Sequence, residues 1–481
     1  MRVCVVGLGY VGLVTAACAA DWGHDVVGVD ADPVRVGAIR AGRVPFHEPE
    51  LDRLVQTGIE SGSLRVTADT RSAVAAADLT IVAVGTHDGN GGWQTATLLG
   101  CLAQVVPDLA AGAVLVVRST LPLELIPRLG DIVASLRRTA NRGPIPVVLN
   151  PEFTREGSAV ADFQHPDRIV FGVADDATGR GTELLRRFYR RAEARVLVMD
   201  ATDAALAKLG SNLFLATKIS FANELAALCD AYGGRVEEVV EAMALDPRIG
   251  GGFLRAGVGF GGSCLPHQVT MTVRDAEAAG VPTPLLAAVD ETNHRQRERF
   301  VERLERLLAG LAGRRIALLG LTFKPDTDDL RDAPSLEVAG RLLAGGAEVV
   351  AYDPMPAARA VAARLVAGLQ VVDTVAEALS GADAAGLVTE WPEFRSIDWR
   401  EAGRLMRDRV VVDGRNALPV AEIAAAGFRY SAFGRPELDA VPALTVAPTR
   451  TESRVEPSRT PGQPERRPIG PDIVPAYGRG E

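Results

Sequence analysis

A glycine pattern near the N-terminus, GLGYVG, constrains the fold of this chain more than any other feature. It lies between an apolar segment, Arg2–Val6, and an alanine-rich stretch with helical periodicity, and a second apolar segment follows at Asp25–Val29. A strand, a glycine turn, a helix and a strand within about 30 residues form a βαβ unit. Gly7 permits the tight turn, Gly9 lets the backbone approach a pyrophosphate, and Gly12 lets the helix pack closely on the strand.

An acidic residue, Asp30, closes the second strand of this unit. A carboxylate there accepts hydrogen bonds from an adenosine ribose and repels a 2′-phosphate, so we predict NAD rather than NADP as the cofactor. Tyr10 and Val11 lie inside the same turn and belong to the predicted site. Glycines that serve only a turn are the alternative, and the flanking strand, helix and acid argue against it. Arg35 either lies over the adenosine or is a solvated surface arginine.

Apolar runs that alternate with helical stretches continue after this unit and predict a parallel, doubly wound sheet. The candidate strands are Leu79–Gly85, Ala113–Ser119 and Pro146–Phe153. The pattern then changes to one long amphipathic helix from Asp203 to Ala231, with further helical sequence to about Leu311. A second α/β block follows, with strands at Arg315–Leu321, Ala347–Asp353, Ala384–Val388 and Arg409–Gly414. The predicted fold is α/β: two doubly wound Rossmann-like domains joined by a central helical region with one long helix.

Four regions follow from this organisation. Residues 1–198 form the expected dinucleotide-binding domain, 199–311 the helical region, and 312–440 the C-terminal α/β domain. Residues 441–481 are rich in Pro, Arg, Ser and Glu and lack apolar periodicity, so we expect a disordered tail.

Charge and cysteine usage exclude several classes of function. The 481 residues include 52 basic and 61 acidic side chains, a net charge of −9 without the basic excess that binds nucleic acid or an anionic membrane. Five scattered cysteines do not resemble the disulfide framework of a small secreted domain. The apolar start lacks a basic n-region and a cleavage site, and no run of 18 apolar residues occurs. We therefore expect a cytoplasmic protein.

Three clusters carry residues of catalytic type. The loop GVGFGGSC delivers Cys264 with room around its thiol, although a lone cysteine is more often a small buried hydrophobe. Glu152 and Glu156 follow a strand at the carboxyl edge, where doubly wound sheets bind ligands. Lys208 and Asn212 are four apart on the long helix and share a face, which a solvated surface would explain equally well.

Together with a bound nicotinamide, these residue types form a specific chemical system. A cysteine captures an aldehyde as a thiohemiacetal, from which a hydride leaves to give a thioester. A carboxylate then assists water in hydrolysing the thioester, while a lysine ammonium and an asparagine amide stabilise the oxyanion. No metal site is predicted.

A series of motifs over residues 1–435 resembles the UDP-glucose/GDP-mannose dehydrogenase family of nucleotide-sugar dehydrogenases, and within it the UDP-glucose branch. The motifs are GLGYVG, PFHEPEL, IVAVGT, RST, NPEFTREG, KLGSN, FLATKISFANELAALC, RIGGGFLRAGVGFGGSC, GLTFKPDTDDLRDAPS and DGRN. The resemblance implies a four-electron oxidation of the C6 alcohol of UDP-glucose to UDP-glucuronate, with reduction of two NAD⁺.

The resemblance also implies a role for individual residues. Cys264 is the expected nucleophile, Glu152 the base for hydrolysis, and Thr120 the residue that positions water or the nicotinamide. The oxyanion site is expected at Lys208 and Asn212. The expected cofactor contacts further along the chain are Thr86, Ser119, Glu156, His267 and Arg331. The expected substrate contacts are Phe153, Thr154, Arg248, Phe253, Arg255, Gly261, Lys324 and Arg415. The family pattern further implies a homodimer through the long helix, with Arg248 reaching the neighbouring subunit's site.

Several positions depart from the family pattern, which after the cysteine usually reads Leu/Phe-Pro-Lys-Asp. Here His267 and Gln268 replace the lysine and aspartate, His87 replaces a proline, and Arg118 a lysine. Gln268 forms hydrogen bonds but neither takes a proton nor supplies charge. The alternatives to complete turnover are therefore a dehydrogenase of another nucleotide sugar or with an impaired second step, and a non-catalytic UDP-sugar-binding dimer.

Overall fold

Two β-sheets organise the described part of the chain, which comprises residues 1–87 and 92–439 of this computed structural model. The tail expected at 441–481 lies outside the described residues. The two sheets are separated in sequence by a group of long helices, so the predicted α/β class and the order of its parts are confirmed.

The N-terminal sheet contains eight strands within the described ranges. They are β1 (Arg2–Val6), β2 (Asp25–Val29), β3 (Leu64–Thr67), β4 (Leu79–Val82), β5 (Val114–Val117), β6 (Val147–Leu149), β7 (Arg168–Asp175) and β8 (Arg195–Asp200). Their spatial order is β3-β2-β1-β4-β5-β6-β7-β8. The covering helices are α1 (Tyr10–Asp21), α2 (Pro33–Arg40), α3 (Leu51–Ser61), α4 (Thr70–Ala76), α5 (Thr95–Val105), α6 (Leu129–Thr139), α7 (Ala159–Gln164) and α8 (Arg180–Phe188).

Strand direction departs from the prediction at one end of this sheet. Strands β1 to β6 are parallel, but β7 runs antiparallel to β6 and pairs in parallel with β8. Strands β4, β5 and β6 are also shorter than their apolar runs, because the last residues of each run leave the sheet at its carboxyl edge. Those residues form the loops of the site described below.

The glycine turn between β1 and α1 has the predicted geometry. Gly7 has a φ of +91°, which side-chain-bearing residues rarely adopt. A Cβ added to Gly12 would lie 1.7 Å from the carbonyl oxygen of Gly7, so only glycine allows the helix to approach the strand this closely. The predicted roles of both glycines are confirmed.

Four helices form the central region: α9 (Ala201–Tyr232), α10 (Val236–Ala244), α11 (Leu265–Ala278) and α12 (Pro284–Leu308). The long helix α9 ends at Gly233, whose φ of +73° terminates the helix in the left-handed conformation. Small residues such as Ala216 and Ala226 are fully buried, whereas Phe214 is 65% exposed. The prediction of a simple amphipathic helix is therefore wrong, because α9 carries apolar residues on both its buried and its exposed faces.

The C-terminal sheet contains six parallel strands within the described ranges. They are β9 (Arg315–Leu319), β10 (Glu348–Tyr352), β11 (Gln370–Val371), β12 (Ala384–Leu387), β13 (Val410–Asp413) and β14 (Arg429–Ala432), ordered β11-β10-β9-β12-β13-β14. Its helices are α13 (Pro334–Ala344), α14 (Pro356–Leu365), α15 (Val375–Leu379), α16 (Pro392–Arg395), α17 (Trp399–Leu405) and α18 (Val420–Ala425). Among the helices of residues 1–87 and 92–439, none combines the length and apolar character needed to traverse a lipid bilayer.

Candidate active site

The loops that follow β4 and β5 are fastened to each other at the carboxyl edge of the N-terminal sheet. The Thr86 hydroxyl donates a hydrogen bond to the carbonyl oxygen of Thr120 at 2.7 Å. The Ser119 hydroxyl donates to the carbonyl oxygen of Val84, also at 2.7 Å. The predicted site residues Thr86, Ser119 and Thr120 therefore lie together on two hydrogen-bonded loops, at the edge where such sheets bind ligands.

The loop after β6 brings a carboxylate against the lysine of α9. Glu152 Oε1 accepts a hydrogen bond from Lys208 Nζ at 3.1 Å, and both side chains are about nine-tenths buried. Glu152 Oε2 accepts from the Thr154 backbone N–H at 2.7 Å and from the Thr154 hydroxyl. Burial alone would raise the pKa of Glu152, but the Lys208 ammonium and the Thr154 donors outweigh it and hold that pKa below its ordinary value. Glu152 is therefore ionised and able to act as a base.

Two cationic side chains lie close to the ring of Phe153. The Arg168 guanidinium of β7 lies over the ring with its Cζ 3.8 Å from the centroid, and Lys208 Nζ lies 5.4 Å from it. Arg168 also donates to the Ser211 hydroxyl at 3.3 Å. The stacked arginine fixes the aromatic side chain beside the Glu152–Lys208 pair.

The loop that carries Cys264 is shaped by glycines against the C-terminal domain. Gly259 and Gly262 have φ angles of +98° and +84°. A Cβ added to Gly261 would lie 2.4 Å from the carbonyl oxygen of Asp332, so no larger residue fits without displacing that backbone. The loop ends at Cys264, which is the N-cap of α11.

Cys264 is an exposed residue, although protein groups surround its thiol. Desolvation raises the pKa of Cys264, the ammonium of Lys208 opposes that rise, and the carboxylates of Glu152 and Glu156 add to it. The Ser263 hydroxyl lies 3.8 Å from the sulfur. The resting group at neutral pH is therefore the thiol rather than the thiolate.

The other four cysteines occupy packing positions. Cys4, Cys18 and Cys229 are buried and Cys101 is half-buried. Burial raises the pKa of Cys4 and of Cys18 to about 12 and that of Cys101 to about 11.

The Asn212 side chain contacts Gln268, one of the positions at which we expected a departure from the family pattern. Its Nδ2 donates to Gln268 Oε1 at 2.9 Å. Gln268 is buried and lies one helical turn after Cys264, with its backbone N–H bonded to the Cys264 carbonyl oxygen at 3.1 Å. Lys208 and Asn212, predicted to share a helix face, thus contact Glu152 and Gln268 respectively.

The second carboxylate of the β6 loop faces the C-terminal domain. Glu156 Oε1 accepts from Arg331 Nη2 at 3.0 Å, and Arg331 also pairs with Asp329 at 2.6 Å. Desolvation, reinforced by the neighbouring carboxylate of Asp329, raises the pKa of Glu156 to about 8 despite the arginine. Desolvation lowers the pKa of the nearby Lys324 ammonium. Glu156, Lys324 and Arg331 therefore lie close enough for each to influence the pKa of another.

His267 occupies the position of the family's lysine and pairs with a carboxylate. Its Nε2 lies 2.7 Å from Asp332 Oδ2. The ring meets that of His87 edge to face, with centroids 5.7 Å apart. Two of the positions that depart from the family pattern are therefore neighbours in space, which their separation in sequence concealed.

The remaining predicted substrate residues divide into two groups. Arg415 is anchored by the carbonyl oxygens of Val388 and Gly259, at 2.6 and 2.8 Å. Phe253 and Arg255 are exposed, and Arg248 lies at the surface with its guanidinium paired to Asp246 at 2.6 Å.

Asp30 is fully engaged with donors of its own chain. Its carboxylate accepts from the backbone N–H of Leu8 at 2.7 Å and from that of Asp32 at 2.9 Å. Arg35 Nη1 lies 3.0 and 3.1 Å from the two carboxylate oxygens. Asp30 thus ties the glycine turn to the end of β2, and Arg35 is its ion-pair partner rather than a purely solvated residue.

Comparison with known proteins matches three parts of the chain to one family. Models of the NAD-binding, central and UDP-binding domains of the UDP-glucose/GDP-mannose dehydrogenase family match residues 1–193, 202–295 and 317–420. The chain belongs to this family.

Individual relatives in the UDP-glucose/GDP-mannose dehydrogenase family span almost the whole chain. The UDP-glucose 6-dehydrogenase of Pseudomonas aeruginosa is 42% identical over 443 residues, 91% of this chain and 98% of that protein. The corresponding enzyme of Rhizobium meliloti is 39% identical over 446 residues, 91% and 100% of the two chains. A solved UDP-glucose dehydrogenase of Pyrobaculum islandicum has a TM-score of 0.80 and 38% identity, covering 87% of this chain and 95% of that one. A UDP-D-ManNAc dehydrogenase of Pyrococcus horikoshii also has a TM-score of 0.80, with 28% identity over 90% and 99%.

The glycine turn fits the NAD that the family's N-terminal domain binds. A Cβ added to Gly9 would meet no protein atom within 4 Å, so the missing side chain leaves open space at the N-terminus of α1. The N–H groups of Tyr10 and Val11 begin that helix, where a pyrophosphate is favoured by the unpaired donors and the helix dipole. Asp30 lies beside this turn, where we expect its carboxylate to disfavour a 2′-phosphate.

Several residues of the site were not predicted. Arg118 is buried and donates to Asn150 Oδ1 at 2.8 Å and to the Tyr189 hydroxyl at 2.7 Å, which fixes the start of the β6 loop. Arg168 and Asp332 contact Phe153 and His267. Arg118 and Asp332 lie inside the motifs RST and GLTFKPDTDDLRDAPS, and Glu48 lies inside PFHEPEL. Their partners are distant in sequence, however, so no local pattern indicated these contacts.

Proposed function

We propose that this chain is a UDP-glucose 6-dehydrogenase that oxidises the C6 alcohol of UDP-glucose to the carboxylate of UDP-glucuronate through Cys264. The observation that carries the proposal is the arrangement of Cys264 with the Glu152–Lys208 pair, at the carboxyl edge of a sheet built for a dinucleotide. Bound NAD⁺ supplies the hydride acceptor in each of the two oxidations.

The first task of the chain's own residues is to capture the aldehyde. The Cys264 sulfur forms a bond to the aldehyde carbon, and the thiol proton passes to the aldehyde oxygen, which gives a thiohemiacetal. Lys208 and Asn212 stabilise the negative charge that develops on that oxygen. The Gln268 contact at 2.9 Å holds the Asn212 amide in place for this role.

The second task is hydrolysis of the thioester left after the second oxidation. Glu152 is ionised and takes a proton from the attacking water, so that the oxygen adds to the acyl carbon. The carbon–sulfur bond then breaks, the carboxylate leaves, and Cys264 regains a proton. Because Gln268 cannot take a proton, Glu152 is the base that this arrangement provides for the step.

The nucleotide sugar is recognised by cations of the C-terminal domain and by the β6 loop. Lys324 and Arg415 offer charge and donors to a diphosphate, and Phe153 and Thr154 border the catalytic pair. Arg255, Phe253 and Gly261 belong to the same proposed set. A UDP-sugar is therefore the substrate class that these residues fit.

We also propose a homodimer through α9, with a cytoplasmic location as predicted from the sequence. The exposed face of α9 carries large apolar residues at intervals of seven: Phe214, Phe221 and Leu228, which are 65%, 46% and 54% exposed. Such a continuous stripe favours burial against a second copy. Arg248, exposed beyond α10, is proposed to reach the partner's site.

Purified protein with UDP-glucose and NAD⁺, followed by NADH absorbance and product mass, tests the proposal. Two NADH for each UDP-glucuronate are expected. UDP-N-acetylmannosamine is the critical second substrate, because the fold matches a UDP-D-ManNAc dehydrogenase at the same TM-score of 0.80. Turnover of that sugar alone would reassign the substrate, and UDP-sugar binding without NADH from any sugar would indicate a non-catalytic binding protein.

A further inference from the structure

The PFHEPEL motif places a buried carboxylate between two parts of the active site. Glu48 lies in the loop between α2 and α3 and is 1% exposed. The mechanism proposed above assigns it no role. A buried carboxylate is costly unless donors satisfy it, so its partners show what it is there to hold.

Three donors from two separate segments converge on Glu48. The backbone N–H of Gly157 donates to Oε2 at 2.6 Å, and that of Ala159 donates to Oε1 at 2.7 Å. The hydroxyl of Tyr10 donates to Oε2 as well. Tyr10 is the first residue of α1, directly after the glycine turn, whereas Gly157 directly follows Glu156. One carboxylate therefore joins the dinucleotide turn to the loop that carries both catalytic-site glutamates.

Further contacts hold Tyr10 and Gly157, the residues on the two sides of Glu48, in place. The Tyr10 ring packs on Phe46 with centroids 4.8 Å apart, and its hydroxyl also accepts from the Gly157 N–H at 3.1 Å. Burial and the adjacent Glu48 raise the pKa of Tyr10, so its hydroxyl stays protonated and donates. Gly157 has a φ of +78°, and a Cβ there would lie 2.8 Å from the carbonyl oxygen of Asp326.

His47, the residue before Glu48, adds a contact to the C-terminal domain. The His47 N–H donates to Asp328 Oδ1 at 3.1 Å. Asp328 lies between Lys324 and Arg331, the cations that face Glu156 and the proposed diphosphate. Through two consecutive residues, His47 and Glu48, the motif thus contacts the cofactor turn, the β6 loop and the C-terminal domain.

We propose that Glu48 is a positioning residue that couples the dinucleotide turn to the β6 loop, so that the backbone at Gly157, and with it Glu156 and Glu152, depends on the Tyr10–Glu48 contact. The inference rests on the proposed function only for its kinetic readout. Binding of NAD⁺ tests the structural coupling independently of any sugar chemistry.

The experiment compares Tyr10→Phe, Glu48→Gln and the double variant, with NAD⁺ affinity from calorimetry and steady-state kinetics on UDP-glucose. Tyr10→Phe removes one hydroxyl, and we expect NAD⁺ affinity and kcat each to fall about 3- to 10-fold, the size of one hydrogen bond. Glu48→Gln replaces one of the two accepting oxygens with an amide NH2, which cannot accept from a backbone N–H, so we expect a larger fall in kcat with KM for UDP-glucose unchanged. The double variant is expected to resemble Glu48→Gln, because both changes disrupt the same Tyr10–Glu48 contact.

A second tyrosine–glutamate pair in the C-terminal domain provides matched controls. The Tyr352 hydroxyl donates to Glu393 at 3.1 Å, and Tyr352→Phe and Glu393→Gln should leave NAD⁺ affinity and kcat unchanged. Additive effects in the double variant, or variants that lose only thermal stability, would overturn the proposal. Wild-type protein that binds NAD⁺ but oxidises no sugar would instead refute the proposed function, and the affinities would still decide the coupling. If Glu48→Gln does not fold, Tyr10→Phe alone decides it.

Discussion

Glu152 and Glu156 lie only four residues apart in the sequence, yet their surroundings shift their pKa values in opposite directions. Lys208 and Thr154 keep the pKa of Glu152 low, whereas desolvation and Asp329 raise that of Glu156 to about 8. Two carboxyl groups with separated pKa values suit two tasks. In the proposed mechanism Glu152 is the base for hydrolysis, whereas Glu156 is a largely protonated group at neutral pH beside Arg331.

The raised pKa of Glu156 predicts a pH-dependent cost in stability. The pKa moves from 4.5 to about 8 on folding, so between those values the folded chain binds the additional proton. Stability therefore falls as the pH rises through that window. We expect Glu156→Gln to raise Tm relative to wild type more at about pH 8 than at about pH 5. Calorimetric scans check this, with Glu422→Gln at an exposed site of α18 as the control. An equal difference at both pH values would contradict the prediction.

Gln268 is expected to act through Asn212. Gln268→Ala removes the acceptor at 2.9 Å and should lower kcat about 3- to 10-fold, with the affinity for NAD⁺ unchanged. Gln268→Glu keeps the acceptor and adds a negative charge one helical turn from Cys264. That charge disfavours the thiolate, so the acid limb of the kcat/KM profile should move to higher pH. Wild-type kcat in Gln268→Ala, or an unmoved profile in Gln268→Glu, would show that Gln268 has no such role.

At the scale of elements, the exposed face of α9 predicts the assembly. Phe214→Glu and Phe221→Glu place charges in the apolar stripe, and we expect each to shift the protein from dimer to monomer in sedimentation. Leu365→Glu changes an apolar residue of α14 that is 58% exposed and should leave the mass unchanged. A Phe214→Glu protein that keeps the wild-type mass would remove α9 from the interface.

The elements themselves were predicted with uneven success, for physical reasons. Strands β1, β2 and β5 were found because a buried strand is a short apolar run bounded by turn residues. The antiparallel direction of β7 was missed, because hydrophobicity does not encode strand direction. In α9 the periodicity located the helix, but it did not show that both faces are apolar, one against the core and one exposed.

The site was only partly predictable for a related reason. Cys264, Glu152 and Lys208 were predicted from residue type, spacing and family resemblance. The pairing of His267 with Asp332 and the role of Glu48 depend on residues far apart in sequence, so no local pattern contains them.

For the whole molecule, the site is assembled from three regions of the chain. The cysteine loop follows the central helices, but it packs on the C-terminal domain: Val258 N–H donates to the Gly414 carbonyl oxygen at 2.7 Å, and Gly262 N–H to that of Arg331 at 3.0 Å. Glu152 belongs to the N-terminal domain and Lys208 to α9. The position of the thiol relative to its base is therefore set by the contact between domains.

Because the cysteine loop packs on the C-terminal domain, a larger side chain in this loop should disturb both stability and catalysis. Gly261→Ala places a Cβ 2.4 Å from the Asp332 carbonyl oxygen, so we expect a loss of about 1–3 kcal/mol in stability and a lower kcat. NAD⁺ affinity should persist, because the glycine turn is untouched. Gly340→Ala in α13, where a Cβ meets no atom within 4 Å, should instead be stabilising by about 0.5–1 kcal/mol. A Gly261→Ala enzyme with wild-type kcat would contradict the account of the domain contact.

The most direct measurement of the central claim is the intact mass of Glu152→Gln after incubation with UDP-glucose and NAD⁺. With the base removed, the thioester should accumulate as one UDP-sugar acyl group on Cys264, and Cys264→Ala in the same background should carry none. An adduct that persists without Cys264, or wild-type formation of UDP-glucuronate that survives Cys264→Ala, would contradict the account.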